Sequence, residues 1–220
     1  MDRSFPGEGE REFAQLLDMV YEASMAPLQW PQALARAADW LGASRALLFT
    51  PGAAVDADGF FYSHGVSAEE MTIWSSRYVG QDFWTARVLE RSLAYEGSIF
   101  RDGDLSTRQE LLASDYYREH LVRMDIGWLL SGVILAPADA SLPVVVLSSY
   151  RGVDAAQGFD DVARERLALL LPHLSRALAV MLRLRRAEHQ AAASASALDA
   201  LGCGVALLDR RGRIVHANRR

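Results

Sequence analysis

The chain has 220 residues, half of them hydrophobic and 23% charged, with a formal net charge of -5. That is ordinary soluble globular composition with room for one large domain, or one domain and a fragment. It gives no overall basic footprint for nucleic acid. All 23 basic residues are arginine, which excludes Schiff-base chemistry, pyridoxal phosphate attachment and a P-loop lysine. The lone Cys203 allows no disulfide within the chain and fits a reducing compartment. No signal peptide opens the sequence. The most apolar run, Trp128 to Leu147, is interrupted by Pro137, Asp139 and Pro143, so it is not a membrane span. The expected location is the cytoplasm, with no membrane partner.

In chain order, "REFAQLLDMVYEASM" places Phe13, Leu16, Leu17, Val20 and Tyr21 at helical spacing. A second helix follows in "WPQALARAADWLGA", with Pro31 in its first turn and Gly42 as its cap. "SRALLFT" and "GFFYSHG" read as strands. Ser67 with Glu70 three residues on forms a capping box, opening a third helix that carries Trp74 and Tyr78. A short helix or turn follows Asp82, then extended "GSIFRDGDL" and helical "STRQELLASDYYREHLVRM". "WLLSGVILAP" and "LPVVVLSSYR" are the strongest strand pair, an antiparallel hairpin near the middle of a sheet.

A long helix then runs from "GFDDVARERL" to "RRAEHQ", where Pro172 is expected to kink or divide it. Leu167, Leu170, Leu174, Ala177, Met181 and Leu184 recur at alternating spacings of three and four, the pattern of a dimerisation seam. A parallel stripe through Leu171, Leu178 and Leu182 widens the apolar face, so part of it packs on its own domain. The order of elements predicts an α+β fold, an α-β-α sandwich on an antiparallel sheet with a long C-terminal helix.

Chemistry is sparse. The five histidines are unpaired at helical spacing and no Cys/His cluster exists, so no metal site is expected. Adjacent acids such as Glu69/Glu70 and Asp160/Asp161 diverge on a helix. No GxSxG elbow appears, no residue set supports catalysis, and no cofactor is called for. What stands out is "WSSRYVGQDFW", with Trp74 and Tyr78 sharing a helix face, followed by Asp82, Phe83 and Trp84. Tryptophan and tyrosine join apolar bodies to polar tips, which suits a pocket for a ligand with both characters. The same residues equally describe rings packed on a sheet with Asp82 capping the next helix.

"WSSRY" followed by an acid resembles the ligand-binding domain of LuxR-type transcriptional regulators. Those domains are α-β-α sandwiches that bind acyl-homoserine lactones with a Trp-x-x-x-Tyr pair and a downstream Asp. Trp74 and Tyr78 match the pair. Asp82 stands closer to the tyrosine than in that pattern and precedes phenylalanine instead of proline. Further segments resemble multi-domain regulators that join a GAF-like or autoinducer-like sensor to a PAS domain and a LuxR-type helix-turn-helix. These are "FAQLLDMVYEASMAPLQWPQALARAADWLGA", "DFW", "YYREHLVRMDIGWLLSGVIL" and "FDDVARERLALLLPHLSRALAVMLRL". "ALDALGCGVALLDRRGRIVHANRR" resembles the first helix and two strands of a PAS domain, with Asn218 at a position such domains often fill with asparagine.

The expectation is a disordered N-terminus at 1–10, a sensor core at 11–158, a dimerisation and signalling helix with linker at 159–197, and the start of a PAS domain at 198–220. The ligand is a small, largely apolar or aromatic molecule. Trp74, Tyr78, Asp82 and Trp84 are the first candidates to bind it, followed by Phe49, Phe61, Trp128 and Ser131. The partners are that ligand, a second copy in a homodimer, and DNA only through a C-terminal domain outside these residues. The alternatives are a sensor for a histidine kinase or diguanylate cyclase, and a ligand-free dimerisation scaffold.

Overall fold

The computed structural model describes residues 7–51, 59–74, 82–138, 142–201 and 203–218. It divides into two units, residues 1–179 and 180–220.

In the first unit, α1 (Glu8–Met25) starts earlier than expected, because the Glu10 carboxylate accepts the Gly7 N–H at 3.0 Å and secures the first turn. Residues 8–10, expected to be disordered, are therefore helical, while 1–6 lie outside the described residues. α2 (Trp30–Leu41) has Pro31 in its first turn and ends on Gly42 at φ 67°, a left-handed cap that glycine adopts without strain. Its buried stripe of Trp30, Ala33, Leu34, Ala37, Ala38 and Leu41 packs on the strands that follow.

Those strands are β1 (Arg45–Phe49) and β2 (Phe61–His64), followed by α3 (Ala68–Ile73). The Ser67–Glu70 box opens α3 as expected: Ser67 Oγ accepts Glu70 N–H at 3.2 Å and Glu70 Oε2 accepts Ser67 N–H at 2.6 Å. Next come α4 (Phe83–Glu90), β3 (Ile99–Arg101), α5 (Asp102–Leu105) and α6 (Arg108–Ala113). A π-helical turn at Tyr117–Leu121 completes what had read as one helix, broken at Ser114. β4 (Trp128–Leu135) and β5 (Val145–Arg151) are antiparallel, as read from sequence. The five-stranded sheet runs β2-β1-β5-β4-β3, antiparallel at every pairing. The fold is α+β with helices on both faces.

Period-two alternation sorts the central strands. Leu129, Ser131 and Val133 of β4, with Val146, Ser148 and Tyr150 of β5, face one side. Gly132, facing the other side, is where α7 (Asp161–Asp199) lies on the sheet. A methyl group placed on Gly132 would stand 3.0 Å from Leu171 Cδ2 and 3.3 Å from Leu167 Cδ2, so glycine is what permits this approach. Pro172 does not divide α7, which runs on for 39 residues. The proline gives up only the bond to the Ala168 carbonyl, and the buried leucines on either side, Leu171 and Leu174, hold the helix to its course. By length and hydropathy alone α7 could cross a membrane. Leu167, Leu170 and Leu174 are fully or almost fully buried, as in the core helix of a soluble domain.

The second unit comprises the rest of α7 and an antiparallel ribbon of β6 (Ala206–Leu208) and β7 (Ile214–Ala217). The Asp209–Gly212 turn closes it, with Asp209 Oδ1 accepting the N–H groups of Arg211 and Arg213. Asn218 ties the ribbon to the helix end. Its Oδ1 accepts Val205 N–H at 2.7 Å, and its Nδ2 donates to the carbonyls of Leu198 and Cys203 at 2.9 Å.

Candidate ligand cavity

The sheet face opposite α7 is not filled. A cavity of about 250 Å³ lies between it and α3, α4 and the segment around Tyr116. The sheet contributes Leu47, Phe49, Phe61, Phe100 and the cavity-facing residues of β4 and β5. The opposing wall contributes Met71, Trp74, Asp82, Trp84, Val88 and Tyr116. No arginine lines this space among the described residues, and Asp82 is its one carboxylate.

Asp82 caps the following helix and also lines the cavity. Its Oδ1 caps α4, accepting the N–H groups of Trp84 at 2.9 Å and Thr85 at 3.0 Å. Its Oδ2 accepts the Tyr116 hydroxyl at 3.2 Å, and the Tyr116 hydroxyl oxygen in turn accepts the Trp74 indole N–H at 3.3 Å. A directed relay thus runs from Trp74 through Tyr116 to Asp82. Burial among aromatic rings pushes the Asp82 carboxyl above the usual carboxylate range, although these hydrogen bonds pull it back. Burial, and then the neighbouring Asp82 charge, hold Tyr116 and Tyr150 in the neutral phenol form. His120, also at the wall, is shifted downward by desolvation.

The rings interlock around the carboxylate. Trp84 stacks on Tyr150 with centroids 6.1 Å apart and meets Tyr116 edge-on at 6.4 Å. Trp74 meets Phe49 edge-on at 6.2 Å, and Phe49 lies 6.4 Å from Phe61. On the floor, the Ser131 and Ser148 hydroxyls lie 3.1 Å apart, with Ser131 also 3.1 Å from the Leu147 carbonyl.

Of the proposed binding residues, Trp74, Asp82, Trp84, Phe49, Phe61 and Ser131 line the cavity. Tyr78 lies outside the described residues. Trp128 does not join them. Three positions before Ser131 on a strand, it points to the opposite face. There its indole N–H donates to the Ala155 carbonyl at 3.3 Å, and the Arg108 guanidinium stacks on it at 4.0 Å. The helix positions also fall differently from the seam reading. Leu167, Leu170, Leu174, Ala177 and Met181 are all buried in the single chain, while Leu184 is exposed. Sequence reading missed Tyr116, Tyr150, Ser148 and His120. Ser148 and Tyr150 were visible as polar residues alternating with apolar ones in "VVVLSSYR", in phase with Val146.

Three solved structures share this architecture. The LBD domain of VqsR from Pseudomonas aeruginosa superposes with a TM-score of 0.54 at 14% identity, covering 81% of this chain and 98% of that one. CepR2 from Burkholderia cenocepacia, an N-acylhomoserine lactone-dependent LuxR-family transcription factor, gives 0.51 at 16% identity, covering 79% and 98%. SdiA of Escherichia coli gives 0.51 at 16%, covering 79% and 69%. This chain has their fold. At such identity the likeness concerns architecture alone. No protein-family model matches the chain, and no curated protein matches it in sequence.

Proposed function

We propose that this chain is the ligand-sensing part of a cytoplasmic LuxR-type transcriptional regulator. The observation that carries the reading is the apolar cavity with one convergent polar relay, on a fold shared with a lactone-dependent regulator of that family. Cavities lined by aromatic and aliphatic side chains around a few fixed polar groups are the usual form of small-molecule sites. The ligand is small, largely apolar or aromatic, and bears at least one polar group.

Gly132 supports a route for the signal. On one side of β4, Ser131 and Val133 line the cavity, while on the other Leu167 and Leu171 of α7 lie against the glycine. A ligand that shifts this part of the sheet favours one position of α7 over another, a population shift whose size is set by its differential affinity for the two states. The protein acts as a homodimer through exposed α7 positions such as Leu184, since the buried leucines are engaged within the chain. Residues 198–220 begin a PAS domain, supported by the helix end, the two-stranded ribbon and Asn218. DNA is reached through a helix-turn-helix domain further along the protein. A histidine kinase or diguanylate cyclase output is the second reading, because the same ribbon precedes those modules equally well. A ligand-free scaffold and an enzyme fit less well: the first leaves the cavity without purpose, and the second finds no nucleophile–base pair among the described lining residues.

Native mass spectrometry of the purified chain, compared with the denatured sample, tests the proposal. A dimer that releases a defined small-molecule mass supports it. A chain that carries no ligand and takes none from a screen of small amphiphiles returns the cavity to the scaffold reading.

A further inference from the structure

Among the cavity's hydrogen-bonding groups, one buried donor has no partner among the described residues. The Trp74 N–H is engaged by Tyr116, the Tyr116 O–H by Asp82, and Asp82 Oδ1 by two backbone N–H groups. The two serines satisfy each other and the Leu147 carbonyl. Trp84 is different. The residue is 5% exposed and lines the cavity, and its Nε1 is buried with no hydrogen-bond partner among the described residues. Native proteins pair the great majority of such groups, so an orphan beside a cavity marks a place for an external acceptor.

Charge narrows the choice. Among the described residues the lining offers a carboxylate and no arginine, and the chain has no lysine. An anionic ligand would bring a second negative charge into an apolar space, beside Asp82 and with no arginine among the described lining residues to meet it.

Resting on the ligand-cavity reading, we infer that the Trp84 indole N–H is the cavity's donor to its ligand. The ligand is a neutral molecule with a carbonyl-type acceptor, and carboxylates are refused. The tryptophan of the Trp-x-x-x-Tyr pair, Trp74, is thereby a positioning residue that orients Tyr116 and Asp82, while Trp84 contacts the ligand's polar group.

Three probes on one skeleton test this: 3-phenylpropanamide, 3-phenylpropanoate and 3-phenylpropylamine, titrated calorimetrically into the 220-residue chain. The amide is expected to bind at least about 10-fold tighter than the carboxylate. Trp84→Phe keeps a ring against Tyr150 and removes the donor, and should weaken amide binding by about 5- to 100-fold. It should weaken the amine, which lacks an acceptor, by less than the amide, so that the amide's advantage over the amine shrinks in Trp84→Phe. Equal amide affinity in wild type and Trp84→Phe overturns the donor assignment, and carboxylate binding as tight as the amide's overturns the charge argument.

Indole N–H resonances in ¹H–¹⁵N spectra give a readout that needs no variant. The Trp84 signal, assigned through its contacts with the Tyr150 ring, should shift with the amide and stay in place with the amine. A signal indifferent to the amide sinks the inference. If wild type takes none of the probes, this ligand class is wrong. A small-molecule mass released in native mass spectrometry would then still uphold the sensor reading, and its absence would bring both down.

Discussion

The two faces of the central sheet are built from the same strands and serve opposite ends. On the α7 face, side chains interlock so closely that Gly132 has no room for a methyl group without moving a leucine. On the other face, one residue to either side, Ser131 and Val133 look into about 250 Å³ of space. One strand thus separates a closely packed core from a cavity. Adding or removing atoms should therefore have consequences that depend on the parity of the position, even though the residues are neighbours in sequence and equally buried.

The largest effect is expected on the packed face. Leu167→Ala should cost about 2–5 kcal/mol, measured by urea denaturation, because the truncated side chain leaves a void that α7 fills only in part. Gly132→Val comes next, at about 1–3 kcal/mol, as overpacking against Leu167 and Leu171.

Asp82→Ala should cost about 0.5–2 kcal/mol through the lost cap on α4. Asp82→Asn keeps a capping acceptor and separates the charge from the shape. Because burial raises the folded-state carboxyl above its unfolded value, the folded state holds the proton more tightly than the unfolded one. The resulting stabilisation is complete below the unfolded value and is lost as pH rises through the raised one. Wild type should therefore lose stability relative to Asp82→Asn as pH climbs from the acid range to neutrality, in paired thermal melts. A constant difference would show that the carboxylate pays no burial penalty.

The smallest effect is expected from the mirror experiment to Gly132. Val133→Phe also enlarges a side chain, but into empty space, and should change stability by less than about 1 kcal/mol. It should also abolish ligand uptake in native mass spectrometry. If Val133→Phe destabilises as much as Gly132→Val, the cavity face is packed and the contrast between faces disappears.

Features with local causes were legible in the sequence. The Ser67–Glu70 box, the Gly42 cap, the β4–β5 pair and the capping role of Asp82 each depend on residues close together in the chain. The losses were non-local. Tyr116 reaches Asp82 across 34 positions, and no spacing rule announces that pairing. The leucine stripe of α7 correctly signalled a buried helix face but not what buries it, since a sheet and a second helix demand the same three-and-four spacing. Trp128 is the instructive error. The alternation that placed Ser131 at the cavity was already visible in "WLLSGVIL", and applying it three residues back would have sent the tryptophan to the other face.

Asp82 also constrains any reshaping of the cavity. One of its oxygens starts a helix and the other anchors the aromatic wall, so the cavity's polarity and the local architecture cannot be altered independently at that position. A longer acid would carry the cap out of register. Changes to the cavity's polarity belong instead at Trp84, whose indole nitrogen has no hydrogen-bond partner among the described residues, with residue 82 left as the fixed point.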